Sequence, residues 1–409
     1  MKILVLSKKF PYPLKDGESQ AIHGLTKSLA ELGQEVHLLA MNTTKHFWAG
    51  ERLPAEMDHY AEVRTVTVDN DVRALDALGN LLRGTSYHIS RFDNEEYHAA
   101  LTQWLGEVDF DVVQLETLYL SPYVPTIRAH STAQVVMRSH NVEHEIWERC
   151  CAGMTAGPRR WYLRHLTDQL RDYERQQLNQ YDLLLPITKR DEKKFAGLGH
   201  RGDSHVLPIG LDTRCGEPDY VSYRSAPSLH FIGSLDWMPN LEGLQWFIGN
   251  VWPLLRRRFP ALEFHVAGRN MPPEISGLNT PGITVYGEVE SSCDFVSAHS
   301  ISIVPLLSGG GMRAKILEAM SLARVVISTS VGLEGIDAKH RRDLFVADTP
   351  AQFVEAIADC LRRGRKLERI GRAAHQRFHK KYDRRVLAER LILRYRRLVA
   401  QREPELADA

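Results

Sequence analysis

Cysteine is scarce: the 409 residues hold five, Cys150, Cys151, Cys215, Cys293 and Cys360, scattered and without a CxxC pair. An odd, dispersed set argues against a disulfide framework and favours reduced thiols in a cytosolic setting. Long apolar runs are missing too. No segment approaches the ~20 residues that span a bilayer. The start, MKILVLSKKF, carries an apolar run too short for a signal-peptide core and reads as a first strand. The expectation is a cytoplasmic protein, or one peripheral to the cytoplasmic face of a membrane. Charge of one sign is also lacking: the formal net charge is +1, which gives no global attraction to nucleic acid.

What is present suits two globular domains, with 43% hydrophobic and 25% charged residues over a length that can build two cores. Short apolar runs at Ile3–Ser7, Glu35–Ala40, Val63–Val68, Val112–Leu115, Val135–Ser139 and Leu183–Ile187 alternate with helical patterns such as Ala21–Leu32. Continuous apolar strands separated by helices predict a parallel sheet covered on both faces. The pattern lapses between Pro208 and Ser228, a stretch rich in Gly, Pro and small polar residues. It resumes with strands at Leu229–Gly233, Glu263–Ala267, Ile283–Tyr286 and Leu344–Val346 and a helical region at Leu241–Phe259. The fold class is therefore α/β, with two Rossmann-like doubly wound domains facing a cleft. The expected boundaries are 1–207, a linker over 208–227, a second domain over 228–380 and a basic C-terminal helix over 381–409 that packs back toward the first domain. One large sheet is disfavoured by the mid-chain linker.

The stretch Ile301–Thr329 concentrates the chemistry: an apolar run, the glycine loop Ser308-Gly309-Gly310-Gly311, then Met312, Arg313, Lys315 and Glu318 on a helical pattern reaching Ala323. A helix N-terminus offers free N–H groups and a positive dipole end, and glycines admit a ligand close to the backbone. Arg313 and Lys315 put cations where a helix alone favours acids, which points to a bound phosphate or diphosphate. Glu318, two turns past Gly311 or ~10 Å along the axis, is spaced to accept hydrogen bonds from ribose hydroxyls.

Other candidates lie at strand ends, where doubly wound sheets bind ligands. Gly233, Ser234, Asp236 and Asn240 follow the second domain's first strand; capping the next helix is the plain role for Asp236 and Asn240. Arg269 ends FHVAGR, and Val289 lies between Glu288 and Glu290 after ITVYG. In the first half, Pro11–Gly17, with Asp16 and Gly17, follows the first strand without a GxGxxG pattern, so a dinucleotide site is poorly supported. Arg138, His140 and Asn141 follow another strand, where His140 can donate a hydrogen bond or a proton. His140, Glu143 and His144 also spell HxxEH, a zinc-protease spacing, although that chemistry needs both histidines on a helix. The basic tail from Arg362 to Gln401 carries Leu387, Leu391, Leu393, Tyr395 and Leu398 at helical spacing, so one face packs on protein. Its charged face is either solvated or drawn to an anionic membrane, and Arg159–Arg175 invites the same two readings.

With these residues in place, the chain resembles the GT-B retaining glycosyltransferases of family 4, also called glycosyl transferases group 1. GGGMRAKILEAMSLARVVIST is similar to that family's donor signature ending EAMAxGxPVV, and RSHNVEH and GSLDWMPN resemble a subgroup of polysaccharide and glycolipid assembly. The resemblance implies that Glu318 matches the second glutamate of a Glu-x7-Glu pair; the first falls on Gly310. It implies a donor site of Gly233, Ser234, Asn240, Arg269, Val289, Ser308–Met312, Arg313, Lys315 and Glu318. Asp16, Gly17, Arg138, His140 and Asn141 stand on the acceptor side. The family's usual Arg and Lys are missing from GSLDWMPN, so Arg313 and Lys315 take over the diphosphate, and Ala323-Arg324 replaces Gly-x-Pro. The expected partners are a UDP- or GDP-type sugar donor and a saccharide, lipid-linked or small-molecule acceptor, with no cofactor, no metal and no nucleic acid. A non-catalytic nucleotide-sugar binder and a sugar-nucleotide epimerase of the same fold are the alternatives.

Overall fold

The computed structural model describes residues 1–14, 17–44, 47–48, 50, 52–69, 86–212, 215–223, 227–309 and 312–407. Asp16, Gly310 and Gly311 lie outside them. The first unit, Met1–Gly210 with Leu387–Ala409, is built on six parallel strands: β1 (Lys2–Ser7), β2 (Glu35–Thr43), β3 (Glu62–Val68), β4 (Val112–Leu115), β5 (Gln134–Ser139) and β6 (Leu183–Pro186). Their order is β3-β2-β1-β4-β5-β6. The second unit, Leu211–Val386, holds β7 (Leu229–Ile232), β8 (Phe264–Ala267), β9 (Ile283–Gly287), β10 (Ile301–Val304), β11 (Val325–Ser328) and β12 (Phe345–Val346), ordered β12-β11-β10-β7-β8-β9.

Numbered from its own first strand, each sheet has the same order, 3-2-1-4-5-6. β1 and β4 flank the point where the strand order reverses in the first sheet; β7 and β10 flank it in the second. Chains leaving the carboxyl ends of such a pair turn to opposite sides and leave a crevice, the usual ligand position in this architecture. Of the strands at these points β4 and β10 are buried throughout, as their mostly apolar sequences require.

Three features differ from the sequence expectation. The helical region over 241–259 is Met238–Trp246, a π turn over Phe247–Val251, and a short helix Trp252–Arg258. Pro253 has no N–H to donate, so the hydrogen-bond ladder widens just before it. The second unit takes in the expected linker from Leu211 onward and runs to Val386. The final helix, Arg384–Ala407, belongs to the first unit from Leu387: Leu387, Ala388, Leu391, Ile392 and Tyr395 enter its core, but Leu393 is 55% exposed. The third feature overturns the expectation of reduced thiols, because Cys215 and Cys293 form a disulfide. Cys150, Cys151 and Cys360 are free. The bridge spans a sequence separation of 78 residues, and cross-linking a loop of that size removes denatured-state entropy worth up to about 4.5 kcal/mol. Reduction, or Cys215→Ser, is expected to lower the thermal midpoint of the second unit; a melting curve with and without a dithiol reads it.

Candidate active site

At the second sheet's reversal point, β7 leads into Gly233 and Ser234, and β10 leads through Pro305–Gly309 to the helix Ala314–Ser321. Arg313 is the N-cap of that helix, so the expected helix over 312–323 is shorter at both ends. Ile316, Leu317, Ala319 and Met320 bury one face. That packing turns half-buried Lys315 toward the loop after β7. Its Nζ donates to Asn240 Oδ1 at 2.7 Å and lies 4.6 Å from the centre of the Phe231 ring. Asn240 Nδ2 in turn donates to the Ser234 carbonyl at 2.8 Å. The ammonium can approach because residue 233 is glycine: a Cβ there would lie 2.6 Å from Nζ and 2.9 Å from Asn240 Nδ2.

Burial, with Arg313 close by, pushes the Lys315 pKa down to about 7 against an opposing pull from Glu318. Burial likewise lowers the pKa of Arg313, with Glu334 acting against it. The Arg313 guanidinium lies 5.1 Å from the centre of the Trp237 ring. Two cations held together at a cost to their own charge favour any anion that can approach both. Gly309 has φ +95°, and a Cβ there would sit 3.2 Å from both Arg313 Nη2 and Trp237, so glycine is needed for conformation and for room. Farther along the helix, Glu318 Oε1 accepts from Ser292 Oγ at 2.6 Å. The sulfurs of Cys215 and Cys293 and a Glu318 carboxylate oxygen lie within 4.8 Å of one another.

In the first unit, Glu116 follows β4 and His140 follows β5. Glu116 is fully buried: Oε2 accepts from His140 Nε2 at 2.8 Å and from Arg138 Nη1 at 3.3 Å. Burial would raise its pKa, but Arg138, His140 and Gln114 together hold it below the usual carboxylate value. Arg138 is 1% exposed and also donates to the Ala21 carbonyl, so it supports Glu116 from inside rather than meeting an acceptor as the sequence suggested.

The HxxEH reading fails on geometry. The helix after β5 starts at Glu143, leaving His140 outside it. His140 engages Glu116, whereas His144 Nδ1 pairs with Glu174 at 2.5 Å. Glu174 also accepts from the Glu143 N–H at 3.0 Å, which secures the start of that helix. Glu143 is itself buried, accepting from Tyr119 O–H at 2.9 Å. Burial raises its pKa to about 7, partly offset by Lys8 and Tyr119. An acid whose folded pKa is raised makes the protein less stable as pH climbs from its unfolded value toward 7. Glu143→Gln should therefore raise the melting temperature at pH 8, with the gain fading by pH 5.

The fold agrees with solved structures of low sequence identity. A sucrose-phosphate synthase from Thermosynechococcus elongatus aligns with a TM-score of 0.65 at 14% identity, covering 98% of this chain and 100% of that one. Anabaena Alr3699/HepE in complex with UDP aligns with a TM-score of 0.62 at 14% identity, covering 96% and 98%. Residues 226–363, which include the crevice after β7 and β10, match the family model described as Glycosyl transferases group 1. The matched segment is that of a group 1 glycosyltransferase, and the chain as a whole has the GT-B fold. A relative from Klebsiella pneumoniae, described as an uncharacterized 44.6 kDa protein in cps region, is 25% identical over 371 residues, 87% of this chain and 90% of that protein.

Within the matched segment, Gly233, Ser234, Asn240, Gly309, Arg313 and Lys315 gather around one crevice. Asn240 caps no helix; the next one starts after Trp237 without a side-chain cap. Ser308 Oγ donates to Glu242 at 2.9 Å. Arg269 is exposed, and its carbonyl accepts from the Leu235 N–H at 2.9 Å. Val289 and Met312 are half-buried and pack against the core that includes Val304, Leu306 and Leu317. Asn141 is exposed beside His140, and Gly17 opens the helix Gly17–Glu31. Ala323 has φ +57°. A left-handed residue explains why glycine suits that position in the family signature. Arg324 is buried there, donating to the carbonyls of Leu322 and Ser297 at 2.7 and 3.0 Å. Sequence reading missed Glu116, Gln114 and Ser292 and the hydroxyl role of Tyr395: Glu116 meets His140 across 24 positions, Ser292 meets Glu318 across 26, and Gln114 meets Tyr395 across 281.

Proposed function

We propose that this glycosyltransferase moves a sugar from a UDP- or GDP-type donor to a hydroxyl of a saccharide, lipid-linked or small-molecule acceptor, with retention at the anomeric carbon. One observation carries the reading: the Lys315 ammonium reaches Asn240 and the glycine at 233 with Arg313 beside it. Two pre-positioned cations suit the diphosphate that departs as the sugar gains oxocarbenium character. They would neutralise it without a divalent metal. Glu318 is assigned to the donor ribose, and the backbone after β7 to the sugar or the phosphates. Leaving-group phosphate would help deprotonate the acceptor on the same face, and His140 would accept or donate a hydrogen bond at a sugar or acceptor hydroxyl. Structures of Alr3699/HepE with UDP and with UDP-glucose support the donor class. The resemblance of RSHNVEH and GSLDWMPN to a polysaccharide and glycolipid subgroup supports an assembly role. We place the reaction on the cytoplasmic side, where exposed Arg385, Arg390, Arg396 and Arg397 on the last helix could meet an anionic surface.

Gly310, standing where the resemblance expects a carboxylate, favours one second reading: a nucleotide-sugar binder without transfer. A thermal-shift screen of UDP, GDP, ADP and dTDP, alone and as sugar conjugates, followed by assay for nucleoside diphosphate release, separates the two. Native-state binding raises the melting temperature by mass action. Transfer predicts a shift with one base and release from its sugar conjugate. A shift without release supports the binder, and no shift with any nucleotide sinks both.

A further inference from the structure

We infer that the last helix is a working part of the first unit's strand edge: Tyr395, acting through Gln114, fixes the carboxylate of Glu116 that orients His140. The inference rests on the role of His140 in the reading above. The four side chains form one buried chain of hydrogen bonds. Tyr395 O–H donates to Gln114 Oε1, and Gln114 Nε2 donates to Glu116 Oε1. Glu116 Oε2 then accepts from His140 Nε2 at 2.8 Å. Tyr395, Gln114 and Glu116 are each 0% exposed, and His140 is 8% exposed.

Only one polarity satisfies this chain. An ionised carboxylate accepts and never donates, so Glu116 requires the amide nitrogen of Gln114 on one oxygen and a ring N–H of His140 on the other. Gln114 is left with its carbonyl oxygen facing Tyr395, which must donate. His140 is left with its proton on Nε2, and in the neutral ring Nδ1 carries the free lone pair. Nδ1 has no hydrogen-bond partner among the described residues. The arrangement presents an acceptor nitrogen at the strand edge, suited to a hydroxyl of a sugar or acceptor. Tyr395 and Glu116 touch no ligand in this scheme; they are positioning residues. Their action is to hold tautomer and ring orientation, as a buried, fully satisfied network can do.

The test uses the full chain and two readouts. Ring ¹⁵N NMR of His140, assigned by difference against His140→Asn, is expected to show the Nε2–H tautomer in the wild type. Glu116→Gln, whose amide can donate to Nε2, should move the ring toward Nδ1–H; Tyr395→Phe should broaden or partly shift the same signals. With UDP- and GDP-sugars as probes, Glu116→Gln should lower kcat by about 10²-fold and Tyr395→Phe by about 3- to 10-fold. KM should stay within about threefold, because the effect is on orientation and not on donor binding. If Glu116→Gln fails to fold, Tyr395→Phe decides. His140 ring signals unchanged in Tyr395→Phe, or unchanged kcat in a folded variant of an active enzyme, would overturn the inference. If the wild type consumes no nucleotide sugar, the proposed reaction fails on its own, and the NMR readout still decides whether Tyr395 orients His140.

Discussion

Lys315→Ala is expected to lower nucleotide-sugar turnover by about 10²- to 10³-fold, the usual cost of removing one preorganised group that stabilises developing negative charge. The fold should tolerate the change. Lys315 is half-buried at the start of a helix whose packing face is Ile316, Leu317, Ala319 and Met320. Its ammonium hydrogen-bonds a neutral amide, so no carboxylate is left exposed in the interior by its loss. Removing a cation held at a depressed pKa even relieves a small strain on the free protein. Activity and stability should therefore part: a steep fall in kcat with a melting temperature equal to or above that of the wild type. Equal turnover in a folded Lys315→Ala protein would move the diphosphate site elsewhere.

Gly268→Ala is expected to do the reverse, acting first on stability. A Cβ at 268 would sit 2.0 Å from the Gly233 carbonyl oxygen and 3.1 Å from its carbon, which are backbone atoms that cannot rotate away. The two strand ends are tied together by Gly233 N–H to the Ala267 carbonyl at 3.2 Å and Leu235 N–H to the Arg269 carbonyl at 2.9 Å. Separating them should cost about 3 kcal/mol, the upper range for overpacking, and lower the melting temperature by about 10 °C in a unit of this size. The displaced loop also carries Gly233 and Ser234, which shape the Lys315 site, so nucleotide affinity should fall at temperatures where the protein is still folded. Gly249→Ala is the control, because a Cβ there meets nothing within 4 Å. A melting temperature for Gly268→Ala equal to the control's would contradict the close approach of β7 and β8.

How legible this was depended on whether the signal was local. Strands such as β4 and β10 are written as mostly apolar runs, because both faces of a parallel sheet are covered, and their positions were read to within a residue or a few. The glycine loop and the basic residues after it were readable for the same reason: conformation, cation and helix start lie within a dozen residues. Boundaries were less so. Arg313 was expected inside the helix and stands at its cap, since nothing in Met312–Lys315 marks where the first turn closes. Asn240 reads as a cap from its neighbours alone; its bond to Lys315 crosses 75 positions. Glu116 is a single acidic residue after an apolar strand, and only the fold brings Arg138 and His140 to it. Tyr395 was read correctly as a packing residue, but its hydroxyl finds Gln114 across 281 positions, a pairing that no periodicity encodes. The pair Cys215 and Cys293 was hidden the same way, because spacing alone gives no partner to two scattered cysteines.

The central claim is that the crevice after β7 and β10 binds a nucleoside diphosphate through the cation of Lys315, and calorimetry tests it most directly. In the free protein Lys315 loses its proton above about pH 7, whereas the diphosphate binds the charged form. Binding above that pH must therefore take up a proton, and affinity must fall as pH rises. Between pH 6.5 and 8.5 the dissociation constant for UDP or GDP should rise by up to about 25-fold, the ratio of protonated fractions for a group titrating near 7. Proton uptake should approach one per site at the higher pH, and Lys315→Ala should bind weakly with neither effect. Tight binding that is flat across this range, or that survives Lys315→Ala unchanged, would contradict the account.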